Sequence, residues 1–335
     1  MIPTTKRVRR IVAVLAVPAI LLPVAACGSE DDGSGSSGAS GPVATVSGQP
    51  GEQPEITVEE DAAAGDETVS QVIDEGDGAE VQEGDFVRVN VVGRTIQGDV
   101  ELINTWKSAS GDELATEEEG PRPQVIVQAG TESALPAVAT EPLIGQTVGS
   151  RIQVEGNSVD MLGAAAQQGG IPEDDGIVWV FDIAGAVSVD PEAAAEGEQA
   201  PVEEGMPEVE AAAGEPATIT VPEGEDPPAE LREQVLIEGD GPEVTEGQAL
   251  VVQYTGVIWD SGEQFDSSWD RESASAFQIG TGQVVQGWDQ GLVGKHVGDR
   301  VLLVIPPDLG YGSEDRGGIP ADSTLVFVVD IVGAA

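Results

Sequence analysis

Tyr311 stands alone between Gly310 and Gly312. A core has no need of an aromatic flanked by two residues that stiffen nothing, so this phenol reads as a hydrogen-bonding group held out for something else. Asp266, next to Phe265, suits a turn as well as a site. Taken singly, Tyr254, Trp288, Phe327 and the valines near them have the types and spacing of an ordinary small core. The chain holds one His, His296 beside Lys295 in a polar turn, and one Cys, Cys27. That inventory provides no catalytic triad, intrachain disulfide or Cys/His zinc site. The acid runs Glu30-Asp31-Asp32 and Glu117-Glu118-Glu119 lack the alternating oxygen ligands of a calcium loop, so neither a metal nor a cofactor is expected.

These residues must be positioned mostly by strands. Ala249 to Ile258, Arg300 to Ile305 and Thr324 to Val332 are rich in Val, Leu, Ile and aromatics and are bounded by Gly, Pro or Asp. Val284 to Leu292 is the one short helical candidate, and Gly287 inside it means that packing on a sheet must hold it. The pattern predicts an α+β fold, an antiparallel sheet forming a half-barrel around a short helix.

That unit occurs in two copies. Ile56-Thr57-Val58 repeats as Ile219-Thr220-Val221 and Glu75-Gly76-Asp77-Gly78 as Glu238-Gly239-Asp240-Gly241, both 163 residues on. Val148-Gly149-x-Arg151 repeats as Val297-Gly298-x-Arg300, now 149 residues on, so the first copy carries an insertion of about 14 residues, placed around Gly111 to Arg122.

In the second copy five motifs follow in order: Val251-Val252-Gln253-Tyr254-Thr255-Gly256, Phe265-Asp266-Ser267-Ser268, Gly282 through Asp289, Gly310-Tyr311-Gly312, and Gly318-Ile319-Pro320 through Phe327. Together they resemble an FKBP-type peptidyl-prolyl cis-trans isomerase domain over about Leu231 to Val332. The resemblance implies a pocket for a prolyl residue, with Trp288 as its floor and Tyr254, Phe265, Val284, Val285, Ile319 and Phe327 as its walls. Asp266 and Tyr311 are its polar members, and Arg271 helps to fix Asp266; the catalytic set is Asp266, Tyr311, Trp288 and Phe327. It departs from the family at Ser275, where an aromatic is usual and only Phe277 remains. The implied partners are proline-containing polypeptides. The first copy lacks the chemistry: Val91 stands for Tyr254, Ile103-Asn104 for Phe265-Asp266, Ala139 for Trp288 and Leu162 for Tyr311, while Trp179 replaces Phe327.

The remaining sequence concerns location. Lys6, Arg7, Arg9 and Arg10 precede the uncharged run Ile11 to Ala26, the layout of an export signal rather than a permanent span. Val24-Ala25-Ala26-Cys27 resembles the lipobox of bacterial lipoproteins, which implies lipidation of Cys27 and a membrane-anchored, extracytoplasmic protein. The expected organisation is a signal over 1–26, a flexible tether over 27–54, a degenerate domain over 55–187, an extended acidic linker over 188–215 and a catalytic domain over 216–335. With 14 Lys plus Arg against 61 Asp plus Glu, the formal charge of −47 repels phosphate backbones, so nucleic-acid binding is not expected. A monomer is expected. The reading is an isomerase that assists folding of exported proteins; the alternative is a non-catalytic surface binding or scaffold lipoprotein that retained the fold.

Overall fold

The computed structural model describes residues 41–107, 121–212, 214–222 and 224–335. The export signal, Cys27, the tether up to residue 40 and most of the expected insertion lie outside the described residues. Two hairpin-and-sheet units follow each other in the chain. The first begins with a hairpin of β1 (Ala44–Ser47) and β2 (Glu55–Val58). Its sheet comprises β3 (Val69–Asp74), β4 (Phe86–Thr95), β5 (Glu101–Asn104), β6 (Val125–Gln128), β7 (Arg151–Asn157) and β8 (Gly176–Val187). Their order is β3-β7-β8-β4-β5, with β6 also paired to β4, and every pairing is antiparallel. Three short helices belong to it, α1 (Ala137–Thr140), α2 (Ser158–Leu162) and α3 (Ala164–Gly169).

The second unit repeats the plan: a hairpin of β9 (Glu208–Glu210) and β10 (Thr218–Thr220), then β11 (Arg232–Ile237), β12 (Ala249–Ile258), β13 (Gln264–Ser267), β14 (Ser275–Gln278), β15 (Arg300–Ile305) and β16 (Leu325–Ala334). The order is β11-β15-β16-β12-β13, with β14 also on β12, again antiparallel. Against β15 lies α4 (Gln286–Leu292). This is the α+β architecture read from the sequence, two antiparallel sheets with few short helices. The helix starts two residues later than expected, because Val285 is extended (φ −58°, ψ 141°) and caps it. Gly287 makes its approach to the sheet feasible: a Cβ there would lie 2.5 Å from Cγ2 of Ile305.

The described parts of both expected linkers are structured. The expected tether over 27–54 includes β1, and Ala44 is buried with Ile96, Val178 and Val180 on one face of the first sheet. The expected acidic linker over 188–215 includes β9, whose burial alternates exposed, buried, exposed about Val209. Met206 and Val209 pack with Leu302, Val304 and Val326 on the second sheet. Gln253 Nε2 donates to the carbonyl of Pro191, and Ala200 N–H to the carbonyl of Leu236. Single apolar residues among acids suffice here because each enters a site already shaped by the sheet, and every second residue points the same way.

The repeat extends to a buried ion pair in each unit. Arg151 forks onto Asp182 at 2.6 Å and 2.8 Å, and Arg300 onto Asp330 at 2.7 Å through both nitrogens. In each unit the preceding segment adds a backbone donor, Gly51 N–H to Asp182 and Ala195 N–H to Asp330. Breaking either pair would strand a charge away from water.

Candidate active site

Strand β12 places Tyr254 beside Val329 of β16, and two residues on, Gly256 lies opposite Phe327. A Cβ at Gly256 would come within 2.7 Å of Phe265 and 2.8 Å of Phe327, so its absence lets both rings enter the same space. Helix α4 delivers Trp288 beneath them. The indole meets Tyr254 at 5.3 Å, Phe277 at 5.5 Å and Phe327 at 5.3 Å between ring centres, all near-perpendicular. Such edge-to-face contacts set the negative face of one ring against the positive edge of another. Trp288 is buried, and its Nε1 has no partner.

Above this floor opens a cleft of about 570 Å³, lined among others by Tyr254, Phe265, Asp266, Val284, Val285 and Tyr311, besides Trp288 and Phe327. Eight of the ten expected site residues thus share one cleft. Ile319 does not line it; it is buried in the core that supports the rings. Arg271 acts from outside, through its bonds to Asp266 and Tyr254. The approach of Val284 and Val285 is fixed by Asp289, whose carboxylate accepts from Gly280 N–H at 2.7 Å and Gly282 N–H at 2.9 Å.

The polar side of the cleft is a closed triangle. Tyr254 Oη donates to Asp266 Oδ2, Arg271 Nη1 donates to Asp266 Oδ1 at 2.6 Å, and Arg271 Nη2 donates to Tyr254 Oη at 2.8 Å. Arg271 Nη2 also donates to Ser275 Oγ at 3.2 Å, so the hydroxyl at the position of the missing aromatic helps to orient the guanidinium. Burial, then the bond to Asp266 and its charge, push the Tyr254 phenol up to about 12. For Asp266, burial favours the neutral acid, but the donors from Tyr254 and Arg271 outweigh it and hold the carboxyl below its ordinary range. Around neutrality the cleft therefore presents an ionised, paired carboxylate and a neutral phenol. Tyr311 also lines the cleft, with the guanidinium of Arg316 5.4 Å from its ring centre.

Arg316 and Gln283, both at the cleft, and Asp289 behind it were not singled out from sequence. Asp289 carried a readable signal, an acid following Trp288 and facing two loop glycines; a flexible Arg after Asp315 carried none. No group of three or more His, Cys, Asp and Glu placed to hold a metal occurs among the described residues.

A model of the FKBP-type peptidyl-prolyl cis-trans isomerase family matches residues 241–332. The FK506-binding protein of Streptomyces anulatus is 48% identical over 111 residues, which are 32% of this chain and 90% of that protein. The chain belongs to the FKBP-type peptidyl-prolyl cis-trans isomerase family. FK506-binding protein 2B of Rhizopus delemar is 54% identical over 87 residues, 26% of this chain and 42% of that protein. The solved structure of FkpA from Escherichia coli aligns at 38% identity and a TM-score of 0.29, over 31% of this chain and 47% of that one. All of the FKBP site residues described above fall within the matched span.

The first sheet of this FKBP has different contents at the same places. Pairing of Gly93 with Ile103, as Gly256 pairs with Asp266, sets Leu102-Ile103 opposite Phe265-Asp266. The sequence reading of Ile103-Asn104 was one residue late, because the register stays at 163 through β5 and changes only before β6. Leu102, Ile103 and Leu162 pack against one buried cluster that holds Val91, Ala139, Met161 and Trp179. Met161, fully buried, stands where the second unit has Gly310.

Proposed function

We infer that the cleft of the second sheet isomerises X-Pro bonds in exported polypeptides, at the outer face of the cell membrane, to which lipidated Cys27 anchors the chain. The observation that carries the catalytic part is the cleft itself, ring-walled and floored by an indole, with the Asp266 carboxylate and the Tyr311 phenol at its lining. An X-Pro amide resists rotation by about 18–20 kcal/mol because resonance keeps it planar. A twisted amide loses that resonance and part of its carbonyl polarity. A water-excluding apolar floor therefore binds it better than the planar form, and differential binding of this kind lowers the barrier. The prolyl ring enters over Trp288, while the Tyr311 hydroxyl and the Val285 amide, at the start of α4, hold the flanking carbonyls. Asp266 is kept charged and in place by Tyr254 and Arg271. Nothing in this scheme needs a nucleophile or a proton shuttle.

On the same reading the first domain is inactive, because Ala139 gives no floor and Leu162 no hydroxyl. Its part is to space or support its neighbour. Proline-limited refolding with the full chain tests catalysis: acceleration that disappears in Trp288→Ala is expected, and a wild-type rate equal to the uncatalysed one overturns the reading. For location, Cys27→Ser should leave the membrane fraction; unchanged retention would sink the anchor.

A further inference from the structure

Strand β14 has two faces with different neighbours. Phe277 and Ser275 point to the cleft side, where Phe277 stands against Trp288 and Ser275 accepts from Arg271. Ala276 and Gln278 point the other way, onto the first domain. Ala276 packs in a cluster with Phe86, Ile126 and Val251, and thus with residues of β4 and β6 in the first sheet. Gln278 is wholly buried.

Its amide forms a network across that seam. Gln124 N–H donates to Gln278 Oε1 at 2.8 Å, and Gln278 Nε2 donates to the carbonyl of Arg122 at 3.0 Å and to Gln124 Oε1 at 3.2 Å. The network then enters the cleft. Gln283 Nε2 donates to Gln278 Oε1 at 2.8 Å and to the carbonyl of Gln124 at 3.3 Å, and Gln283 is a lining residue. Three glutamines therefore join the first domain, through one strand and the loop after it, to the wall that carries Val284 and Val285. Gln278 is satisfied at both its amide oxygen and nitrogen and so is held rigidly, whereas the buried Gln124 Nε2 has no partner.

We propose that the first domain is a buttress for the isomerase cleft, with Gln278 as the positioning residue that, held by the backbone of Arg122 and Gln124, fixes β14 and the Gln283 loop in the geometry that accepts a prolyl segment. Short of that docking, β14 is a four-residue strand held on one side by β12, and its outer face would be wet. The inference rests on the isomerase reading and adds a task for the domain that lacks the site.

The test uses the full chain and a peptide with one X-Pro bond, comparing wild type with Gln124→Ala, Gln278→Ala and the double variant for kcat, KM and Tm. Gln278→Ala should lower kcat/KM by about fivefold, carried mainly by KM, because it leaves the buried Gln124 N–H without its acceptor. Gln124→Ala should lose less, because its backbone N–H and carbonyl keep their bonds to Gln278 and Gln283 and the Oε1 contact at 3.2 Å is what goes. The double variant should lose no more than Gln278→Ala, since Gln124 Oε1 reaches β14 through Gln278 Nε2. A Gln278→Ala variant that lowers Tm but shifts kcat/KM by less than about twofold, or losses that multiply in the double variant, overturn the proposal. Should Gln278→Ala fail to fold, Ile126→Ala, which loosens the first-domain side of the same seam against Ala276, decides by its KM. A wild-type chain without turnover refutes the isomerase reading itself, which is a different result from an active wild type with indifferent variants.

Discussion

The two sheets of this FKBP hold the same frame around different interiors. Each has its buried Arg and Asp pair, its hairpin on one face, and a glycine on the central strand beneath an aromatic of the last strand, Gly93 under Trp179 and Gly256 under Phe327. Even the hydroxyl that ties the central strand is matched, Thr105 to Val91 N–H at 2.9 Å and Ser268 to Tyr254 N–H at 2.8 Å. The interiors diverge where elements outside the sheet reach in. In the second unit α4 brings Trp288, and the loop after β15 contributes Gly310, which lines the cleft without a side chain to fill it. In the first, α1 brings Ala139 and α2 brings Met161, which joins the core. The sheet thus supplies a cup, and the short helix and the loop decide whether it is a cleft or a plug.

The hardest test of that contrast is the floor. Trp288→Ala makes the second cup resemble the first, and kcat/KM should fall by about a hundredfold, equivalent to about 2.7 kcal/mol of transition-state stabilisation. The same change should cost about 3–5 kcal/mol of stability, so the assay belongs at a temperature where denaturation curves show the variant folded. Retained turnover would break the comparison, because the absence of Trp at Ala139 would then no longer support the inactivity proposed for the first domain. Next in size is the shared frame. Gly256→Ala and Gly93→Ala each drive a methyl into a ring, at 2.7 Å from Phe265 and 2.2 Å from Trp179, and each should destabilise by about 1–3 kcal/mol in urea denaturation. Only Gly256→Ala should also lower turnover.

Much of this was legible in the sequence, for definite reasons. The strands over Ala249–Ile258 and Arg300–Ile305 emerged at the bounds read from their apolar runs, because central strands are buried on both faces. The ring set was legible only as an ordered group of motifs, since Trp288 or Phe327 alone is an ordinary core residue. The hairpins at Ala44–Ser47 and Glu208–Glu210 were not legible. Each is a strand of three or four residues with few apolar side chains, Ala44 and Val46 in one and Val209 in the other, and what fixes them is the sheet surface they cover, which composition does not display. Met161 escaped for a similar reason: it replaces a glycine in a loop that becomes α2, so its meaning depends on where that loop goes. Ser275 read as a loss, whereas its hydroxyl is a fourth partner in the Asp266 triangle.

The polar triangle supports a finer pair of tests. The chain has two tyrosines, so Tyr311→Phe leaves Tyr254 as the phenol seen in an ultraviolet titration. It should ionise at about 12, and Asp266→Asn should bring it down, though not to its ordinary value, because burial is the larger cause and remains. The sign of the pH dependence follows. The folded chain favours the neutral phenol, so that contribution to stability is complete below about pH 10 and fades as pH rises through the folded value near 12. The folded chain favours the Asp266 carboxylate, so its contribution is complete above about pH 5 and is lost as pH falls through the lowered folded value. Turnover by the second domain should therefore be level between about pH 5 and 10, and a slope centred near neutrality would mean that another group governs the cleft.

The smallest expected effect falls on Ser275. Ser275→Ala removes one acceptor from Arg271 Nη2, which keeps its bond to Tyr254, while Nη1 keeps Asp266. Because Arg271 is exposed, water can replace the lost partner, and kcat/KM should change by no more than about threefold. Ser275→Phe is the informative counterpart: it restores an aromatic beside Phe277 and costs the triangle only that one acceptor. A rise in affinity for bulky prolyl peptides, read as a lower KM with kcat held, would show that the open edge and not the triangle limits this cleft. An unchanged KM would place the limit in the floor, and the contrast between the two domains would then rest on Trp288 alone.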